Sequence, residues 1–429
     1  MTEQPQFTIR VDQNKYLPVD GTEVHAILTV EAAGPVERLA QAQQAAEVII
    51  VDTSGSMSYG KINEARKAAM AAVDTLRDGV FFAIVSGTAY AHMVFPHDRH
   101  LVPADENSRR AAKDAISRMQ ADGGTAIGRW LRLAADLFQP FPHAIKHAIL
   151  LTDGKNEHQE AREFDADLAY CTGKFVCDCR GVGDGWVVAE LRKVASALLG
   201  SVNDIPDPKD LEADFRAMTQ TAMGKAVADV VLRVRTPQNA TLKFVKQVSP
   251  TLEDLTGRRT PSGPLDGDYP TGSWGAESRE YHMSFQVAPG TVGQEMRAAW
   301  IRLMIPDTGE QLAAGNVLAE WSTDLAQSTR INPRVAHYTG QQELAQLIQD
   351  GLQARKDGDL DLATARLGRA RGIAAQSGNS DTAKLLDRVI DFDPESGTAR
   401  LKPNVEKAAE IALDTGSVRT ARMRRDPQG

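Results

Sequence analysis

From residue 48 onward the chain repeats a pattern that few folds satisfy: a short, wholly apolar run, then a segment with helical spacing, then another apolar run. VIIV (48–51) precedes a helical period over about 61–76, and VFFAIV (80–85) precedes helices over about 108–119 and 126–138. HAILLTDG (147–154), a polar helix over about 158–170, KFVCDCRGVG (174–183) and helices over about 186–199 and 207–223 complete the series. Strands this apolar are buried on both faces, and the intervening helices supply the cover, so a mostly parallel sheet is expected. AYAHMVF (89–95) follows VFFAIV too closely for a crossover connection and is expected as an antiparallel edge strand.

The flanks have a different period. Phe7, Ile9 and Val11, then Val24, Ala26, Leu28 and Val30, alternate with mainly polar residues, as do VVLRVR, TLKFVKQV, EYHMSFQV, AAWIRLMI and NVLAEW between 230 and 321. These read as a β-sandwich, with strands separated by Gly and Pro clusters. The two N-terminal strands have no core of their own and are expected to complete that sandwich, so that the α/β segment is inserted in it. Beyond Tyr338 the period is helical again: Leu344, Leu347, Ile348 and Leu352 mark one face, and two further helices follow. Their small Ala and Gly positions suggest a degenerate tetratricopeptide-like hairpin, but one helical pair is not an array. The expected parts are 1–46 (N-terminal strands), 47–223 (α/β), 224–337 (sandwich), 338–414 (helical) and 415–429 (flexible basic tail).

Composition limits the partners. At 429 residues, 42% apolar and 25% charged, the chain is globular, and its net charge of −8 argues against nucleic acid or an anionic membrane as the main partner. The polar start MTEQPQFTIR lacks a signal-peptide core, and no run approaches the roughly 20 apolar residues that span a bilayer. A cytoplasmic protein without membrane insertion is expected. Three cysteines, Cys171, Cys177 and Cys179, give no disulfide framework. The last two share one face of a strand and read as buried small hydrophobes rather than a metal pair.

Ligands of open α/β sheets gather outside the carboxyl ends of the strands, where strand order reverses. Asp52 stands at that end of VIIV, within DTSGS, and Asp153 at the same end of HAILLT. A third loop, ADGGTAIGRW, places Thr125 behind two glycines and just before a helix. If these strands are neighbours, two carboxylates and three hydroxyls (Ser54, Ser56, Thr125) converge. That all-oxygen set suits a hard divalent cation, Mg2+ first, with Ca2+ and Mn2+ as alternatives.

The segment from about Glu47 to Met223 resembles a von Willebrand factor type A domain, a Rossmann-like fold carrying a metal-ion-dependent adhesion site. The family's D-x-S-x-S is matched by Asp52, Ser54 and Ser56, its threonine by Thr125 in GGT, and its aspartate by Asp153 in TDG. The resemblance covers about two-fifths of the chain, and bacterial proteins of this type often follow the domain with a β-sandwich. It implies that the hydroxyls of Ser54 and Ser56 bind the cation, that Asp52 and Asp153 bind directly or through water, and that Thr125 is the switchable ligand. It further implies a metal-dependent protein–protein interaction in which one coordination position takes an Asp or Glu of a partner.

Each motif also has a purely structural reading: DTSGS and Thr125 as helix caps, TDG as a turn. GVGDGW (181–186) lies between a strand and a helix, but its glycine spacing fits a tight turn better than a dinucleotide loop. His92, His97 and His100 straddle a proline and read as surface histidines, while His158, close behind the TDG loop, reads either as a residue of the metal-site rim or as a solvated helix residue. The rival functions are a Mg2+-dependent hydrolase or phosphotransferase, and a scaffold with an unoccupied site. Against the first, no G-x-S-x-G elbow, no phosphate-binding G-x-x-x-x-G-K-[ST] loop and no D-x-D pair is present.

The C-terminal DTGSVRTARMRRDPQG follows an expected short helix at about 405–413. With Arg419, Arg422, Arg424 and Arg425 and almost nothing apolar, it is expected to be mobile. A solvated basic end is one reading. The other is a phosphorylation site at Thr420 or Ser417 read by a phosphothreonine-binding partner.

Overall fold

The computed structural model describes residues 6–34, 43–58, 60–393 and 397–423. It contains two compact units, Pro35–Ala228 with Gly272–Gly275, and Met1–Gly34 with Asp229–Thr271 and Ala276–Gly429. No helix among the described residues is long and apolar enough to cross a membrane.

The first unit is the expected α/β layer structure. Its seven-stranded sheet runs Val202–Ile205, Val176–Val182, Ile145–Thr152, Ala45–Asp52, Phe81–Gly87, Ala91–Phe95, with Val102–Pro103 also paired to Phe81–Gly87. The first five strands are parallel, and Ala91–Phe95 is antiparallel, as the short connection before it requires. Ala45–Asp52 is buried along its whole length because helices cover both faces of the sheet. The order reverses at this strand, since its sequence successor lies on one side and Ile145–Thr152 on the other.

Helices Lys61–Thr75, Glu106–Ser117, Ile127–Phe138, Ala161–Cys171, Val188–Ala197 and Leu211–Met223 begin and end within a few residues of the expected spans. Val202–Ile205 is an edge strand that periodicity did not reveal: VNDI is short and half polar, and its pairing is decided by the neighbouring strand.

Three charged side chains cross the parallel sheet near the starts of its central strands. His147 places Nδ1 at 2.8 Å from Glu47 and Nε2 at 3.1 Å from Asp178. Asp178 also accepts from the Ser201 hydroxyl at 2.7 Å. Burial disfavours the imidazolium, but the charge of Glu47 and the hydrogen bonds of both carboxylates outweigh it and raise the His147 pKa to about 10. Burial likewise opposes ionisation of Asp178, yet His147 and Arg180 hold its carboxyl well below the usual range. Cys171, Cys177 and Cys179 are buried free thiols, and burial pushes Cys171 up to about 12.

The second unit contains the sandwich. Its five-stranded sheet runs Gln6–Gln13, Glu23–Ala33, Ser278–Val287, Ala240–Ser249, Glu253–Asp254, and its six-stranded sheet Thr260–Pro261, Asp266–Trp274, Val227–Arg235, Glu295–Ile305, Glu310–Trp321, Tyr16–Leu17. The N-terminal strands therefore complete the sandwich across the inserted α/β segment. Glu23–Ala33 needs Ser278–Val287 as its partner to bury Val24, Ala26, Leu28 and Val30.

Helices Pro333–Lys356, Leu360–Gln376, Ser380–Leu386 and Lys407–Ser417 follow, packed through Leu344, Leu347, Ile348, Leu367, Leu386 and Leu413. A small hairpin, Ile390–Phe392 with Ala399–Leu401, interrupts them and was not foreseen from the sequence. The helical part is tied to the sandwich at Glu280, which is 0% exposed and accepts from Thr29, Arg334 and Tyr338.

The expectation of a mobile tail from residue 415 is corrected as far as Met423. Thr415 and Ser417 are buried in the last helix, which runs to Ser417 because it packs on the other helices. Thr420 donates its hydroxyl to the Val248 carbonyl at 2.6 Å, His337 reaches the Ala421 carbonyl at 2.7 Å, and Arg422 donates to Ser278 at 2.6 Å. A segment with little apolar surface is thus held by hydrogen bonds to the sheet and to the helix Pro333–Lys356, and neither Ser417 nor Thr420 presents a free hydroxyl. Arg424 and Arg425 lie outside the described residues.

The Glu47–His147–Asp178 group yields a prediction. Replacing His147 by Leu leaves the buried Glu47 carboxylate without its partner and takes one donor from the half-buried Asp178, and is expected to lower unfolding stability by about 3 kcal/mol near neutral pH. Because the folded pKa of His147 is raised, its contribution is full below about pH 6.5 and is lost as pH rises through about 10. Urea denaturation of parent and variant should therefore converge with rising pH. A pH-independent difference would refute the charged assignment.

Candidate metal centre

Asp52 ends the central strand at the point of order reversal, and its side chain is buried at 0% exposure. The Ser54 amide donates to Oδ1 at 2.7 Å, and the Thr152 hydroxyl donates to Oδ2 at 2.5 Å. Burial pushes this carboxyl up to about 6 against those hydrogen bonds. A carboxylate in this state gains strongly from a cation.

The chain then turns through a short 3-10 segment, Gly55–Met57, which brings Ser56 back over the strand end. Ser54 Oγ and Ser56 Oγ lie 3.0 Å apart, and Ser56 donates to Asp153 Oδ1 at 2.6 Å. The other oxygen of Asp153 is 2.5 Å from Lys61 Nζ. Gly60, with φ of 99°, makes the left-handed turn from which the helix Lys61–Thr75 starts.

Thr125 comes from a third loop. The Gly55 amide donates to the Gly123 carbonyl at 2.9 Å and the Asp122 amide to the Thr53 carbonyl at 2.7 Å, which ties this loop to DTSGS. From the other side the loop after Asp153 clamps it. His158 Nδ1 accepts from the Thr125 amide (3.1 Å), Asn156 Oδ1 from the Ile127 amide (2.8 Å) and Gln159 Oε1 from the Gly128 amide (2.9 Å). Three side chains thus satisfy amides around the start of the helix Ile127–Phe138, whose N-cap residue, Ala126, has no capping side chain. Gly124 is required because a Cβ there would lie 2.3 Å from the His158 ring.

All five residues expected from the sequence, Asp52, Ser54, Ser56, Thr125 and Asp153, are therefore brought to one edge of the sheet. A Cβ on Gly154 would sit 3.2 Å from Thr125 Oγ1, 3.3 Å from Ser56 Oγ and 3.8 Å from Asp52 Oδ2, so oxygens from two loops face one point beside the third, where a side chain would crowd them. The donors are carboxylates and hydroxyls, without imidazole or thiolate, and this set fits a small, hard divalent cation. Consistent with a hydroxyl-rich site, no cluster of three or more His, Cys, Asp or Glu side chains suited to a metal occurs among the described residues.

GVGDGW is a packing turn. A Cβ on Gly181 would lie 2.0 Å from the Trp186 ring, and one on Gly185 would lie 2.4 Å from the Asp153 carbonyl, so the turn buttresses the Asp153 loop. His92, His97 and His100 are exposed on and beyond the edge strand. Sequence reasoning missed Thr152, Lys61, Asn156 and Gln159. Thr152 had a signal, since it directly precedes Asp153 on a strand whose Leu151 pairs with Val51, next to Asp52. Lys61 had another, being a lysine at the first position of a helix, where the macrodipole disfavours it.

A family model described as von Willebrand factor type A domain matches residues 46–204, and one described as von Willebrand factor type A C-terminal domain matches residues 372–417. The solved structure of a von Willebrand factor type A protein from Catenulispora acidiphila is 49% identical, covers 98% of each chain and superposes with a TM-score of 0.94. The ArnB paralog VWA2 from Sulfolobus acidocaldarius shares the fold at 13% identity, with a TM-score of 0.61 over 96% of this chain and 98% of its own. An uncharacterised protein of Synechocystis sp. is 29% identical over 220 residues, 48% of this chain, and the chain spans only 49% of that relative's length.

The open point beside Gly154 is directly testable. Gly154→Val should fill it without altering charge. Divalent-cation binding by titration calorimetry is expected to fall at least about tenfold, with a melting temperature lowered by several degrees but a cooperative transition retained. Undiminished Mg2+ binding in a folded variant would show that the cation is held elsewhere.

Proposed function

The chain belongs to the von Willebrand factor type A family, and on that premise we propose that it is a Mg2+-dependent protein-interaction module whose metal centre takes an acidic residue of a partner protein. The convergence of Ser56, Thr125 and Asp52 oxygens on the point kept open by Gly154 carries this reading. Ser54, Ser56 and Thr125 would hold the cation through hydroxyls, and Asp52 and Asp153 would balance its charge directly or through water. When bound, the cation supplies a Lewis-acidic position that completes its shell with an oxygen donor. The chain's own part is orientation: Thr152 and the Ser54 amide fix Asp52, while the Asn156–Gln159 clamp fixes the loop that carries Thr125.

A binding role is favoured over hydrolysis or phosphoryl transfer by how the histidines of this unit are spent, His158 beside the site and His147 at the far end of its strand. His158 Nδ1 accepts from the Thr125 amide, and both nitrogens of His147 face carboxylates. Neither is arranged as a general base toward a hydroxyl of the site. The buried free thiols Cys171, Cys177 and Cys179 suit the reducing cytoplasmic setting that belongs to this reading.

The experiment is a Mg2+ titration followed by affinity capture from the source cell. The parent should bind one divalent cation and retain a partner only in its presence. Asp52→Ala with Asp153→Ala should lose both properties while staying folded. A partner captured equally well in chelator, or a double variant that binds Mg2+ like the parent, would defeat the proposal.

A further inference from the structure

Lys61 is the first residue of a fifteen-residue helix whose N-cap, Gly60, provides no side-chain hydrogen bond. A cation there opposes the helix dipole and leaves the first amides without an acidic neighbour at that position. What offsets this is its ion pair with Asp153 at 2.5 Å, the one ion pair Lys61 makes among the described residues. The Asp153 side chain is 0% exposed and the Lys61 side chain 32%, so the pair sits at the mouth of the site, partly withdrawn from water. The β-strand-to-helix turn at Gly183 closes on the same ammonium, since a Cβ at Gly183 would lie 3.9 Å from Lys61 Nζ.

We propose that Lys61 sets the charge of the metal centre, weakening its hold on the divalent cation and making the loaded centre net positive, hence selective for an anionic ligand. This rests on the function proposed above. Two carboxylates alone would neutralise a dication and leave an acidic ligand with little long-range attraction. With the ammonium included, the same carboxylates leave one unit of positive charge at the rim. The cost falls on the metal, because Lys61 competes for Asp153 and repels a dication nearby. A lysine in this place therefore exchanges metal affinity for ligand attraction. A purely structural lysine would not move those two quantities in opposite directions.

The test uses the full chain with Lys61→Gln, Lys61→Met and Lys61→Arg, each first checked for a parent-like melting profile. Mg2+ affinity is measured by calorimetry. Binding of N-acetyl-aspartate methylamide, a stand-in for a partner's Asp side chain, is measured by saturation-transfer NMR in saturating Mg2+. Removing the charge should tighten Mg2+ binding about three- to tenfold and weaken the aspartate probe by a similar factor, with both effects shrinking at high salt. Lys61→Arg, which keeps the charge, should stay within about twofold of the parent on both axes. Unchanged or weaker Mg2+ binding in both neutral variants overturns the inference, as does an unaltered or stronger response to the probe. If the parent binds Mg2+ and the neutral variants match it, only this inference falls. If the parent binds no divalent cation, the proposed function falls with it.

Discussion

The central constraint in this protein is the withdrawal of two carboxylates, Asp52 and Asp153, from water at the ends of neighbouring parallel strands. Each is at most 1% exposed, and an ionised carboxylate so placed costs several kcal/mol unless donors or cations reach it. The surrounding loops are organised around that cost. Thr152 and the Ser54 amide turn toward Asp52, and Ser56 and Lys61 turn toward Asp153. The glycines of the site follow from the same crowding: Gly124 makes way for His158, Gly185 for the Asp153 carbonyl, and Gly154 for the hydroxyls opposite it.

The same sheet carries a second set of buried charges with the opposite character. Near the strand starts, Glu47, His147 and Asp178 saturate one another, and Ser201 and Arg180 complete the group. That cluster is closed and contributes to holding three strands in register. At the strand ends Asp52 has only neutral donors, and burial pushes its carboxyl up to about 6. One end of the sheet is thus electrostatically finished and the other is left with capacity for a cation. Open α/β folds separate stability and binding between strand starts and strand ends in this way.

In the other unit, a buried glutamate does the organising. Glu280 gathers Thr29 from the N-terminal strand pair and Arg334 and Tyr338 from the first C-terminal helix. Residues distant in the chain therefore depend on one carboxylate, and strands that begin the sequence share a sheet with Ser278–Val287. The C-terminal stretch through Met423 is then fastened along Val248, Ser278 and His337.

Much of this was legible in the residues themselves. Alternation of apolar runs with helical periods specified a parallel sheet, because strands apolar on both faces need cover on both. The short link before AYAHMVF specified its antiparallel edge. Asp52, Ser54, Ser56, Thr125 and Asp153 were identifiable as a set because their residue types sit behind strands or before a helix, where an α/β sheet presents its ligands. What the sequence could not decide were matters of pairing across long separations. Val202–Ile205 becomes a strand only because Val176–Val182 offers it an edge. His147 meets Glu47 and Asp178 only because three strands adopt one register. The tail, polar enough to read as mobile, is hydrogen-bonded as far as Arg422 because acceptors on the sheet lie within its reach. Local composition determines which segments become strands or helices and which loops carry oxygen donors. The partners of buried charges and of weakly apolar segments were decided by tertiary structure, since those choices depend on the dielectric and the hydrogen-bonding groups that only the folded neighbours provide.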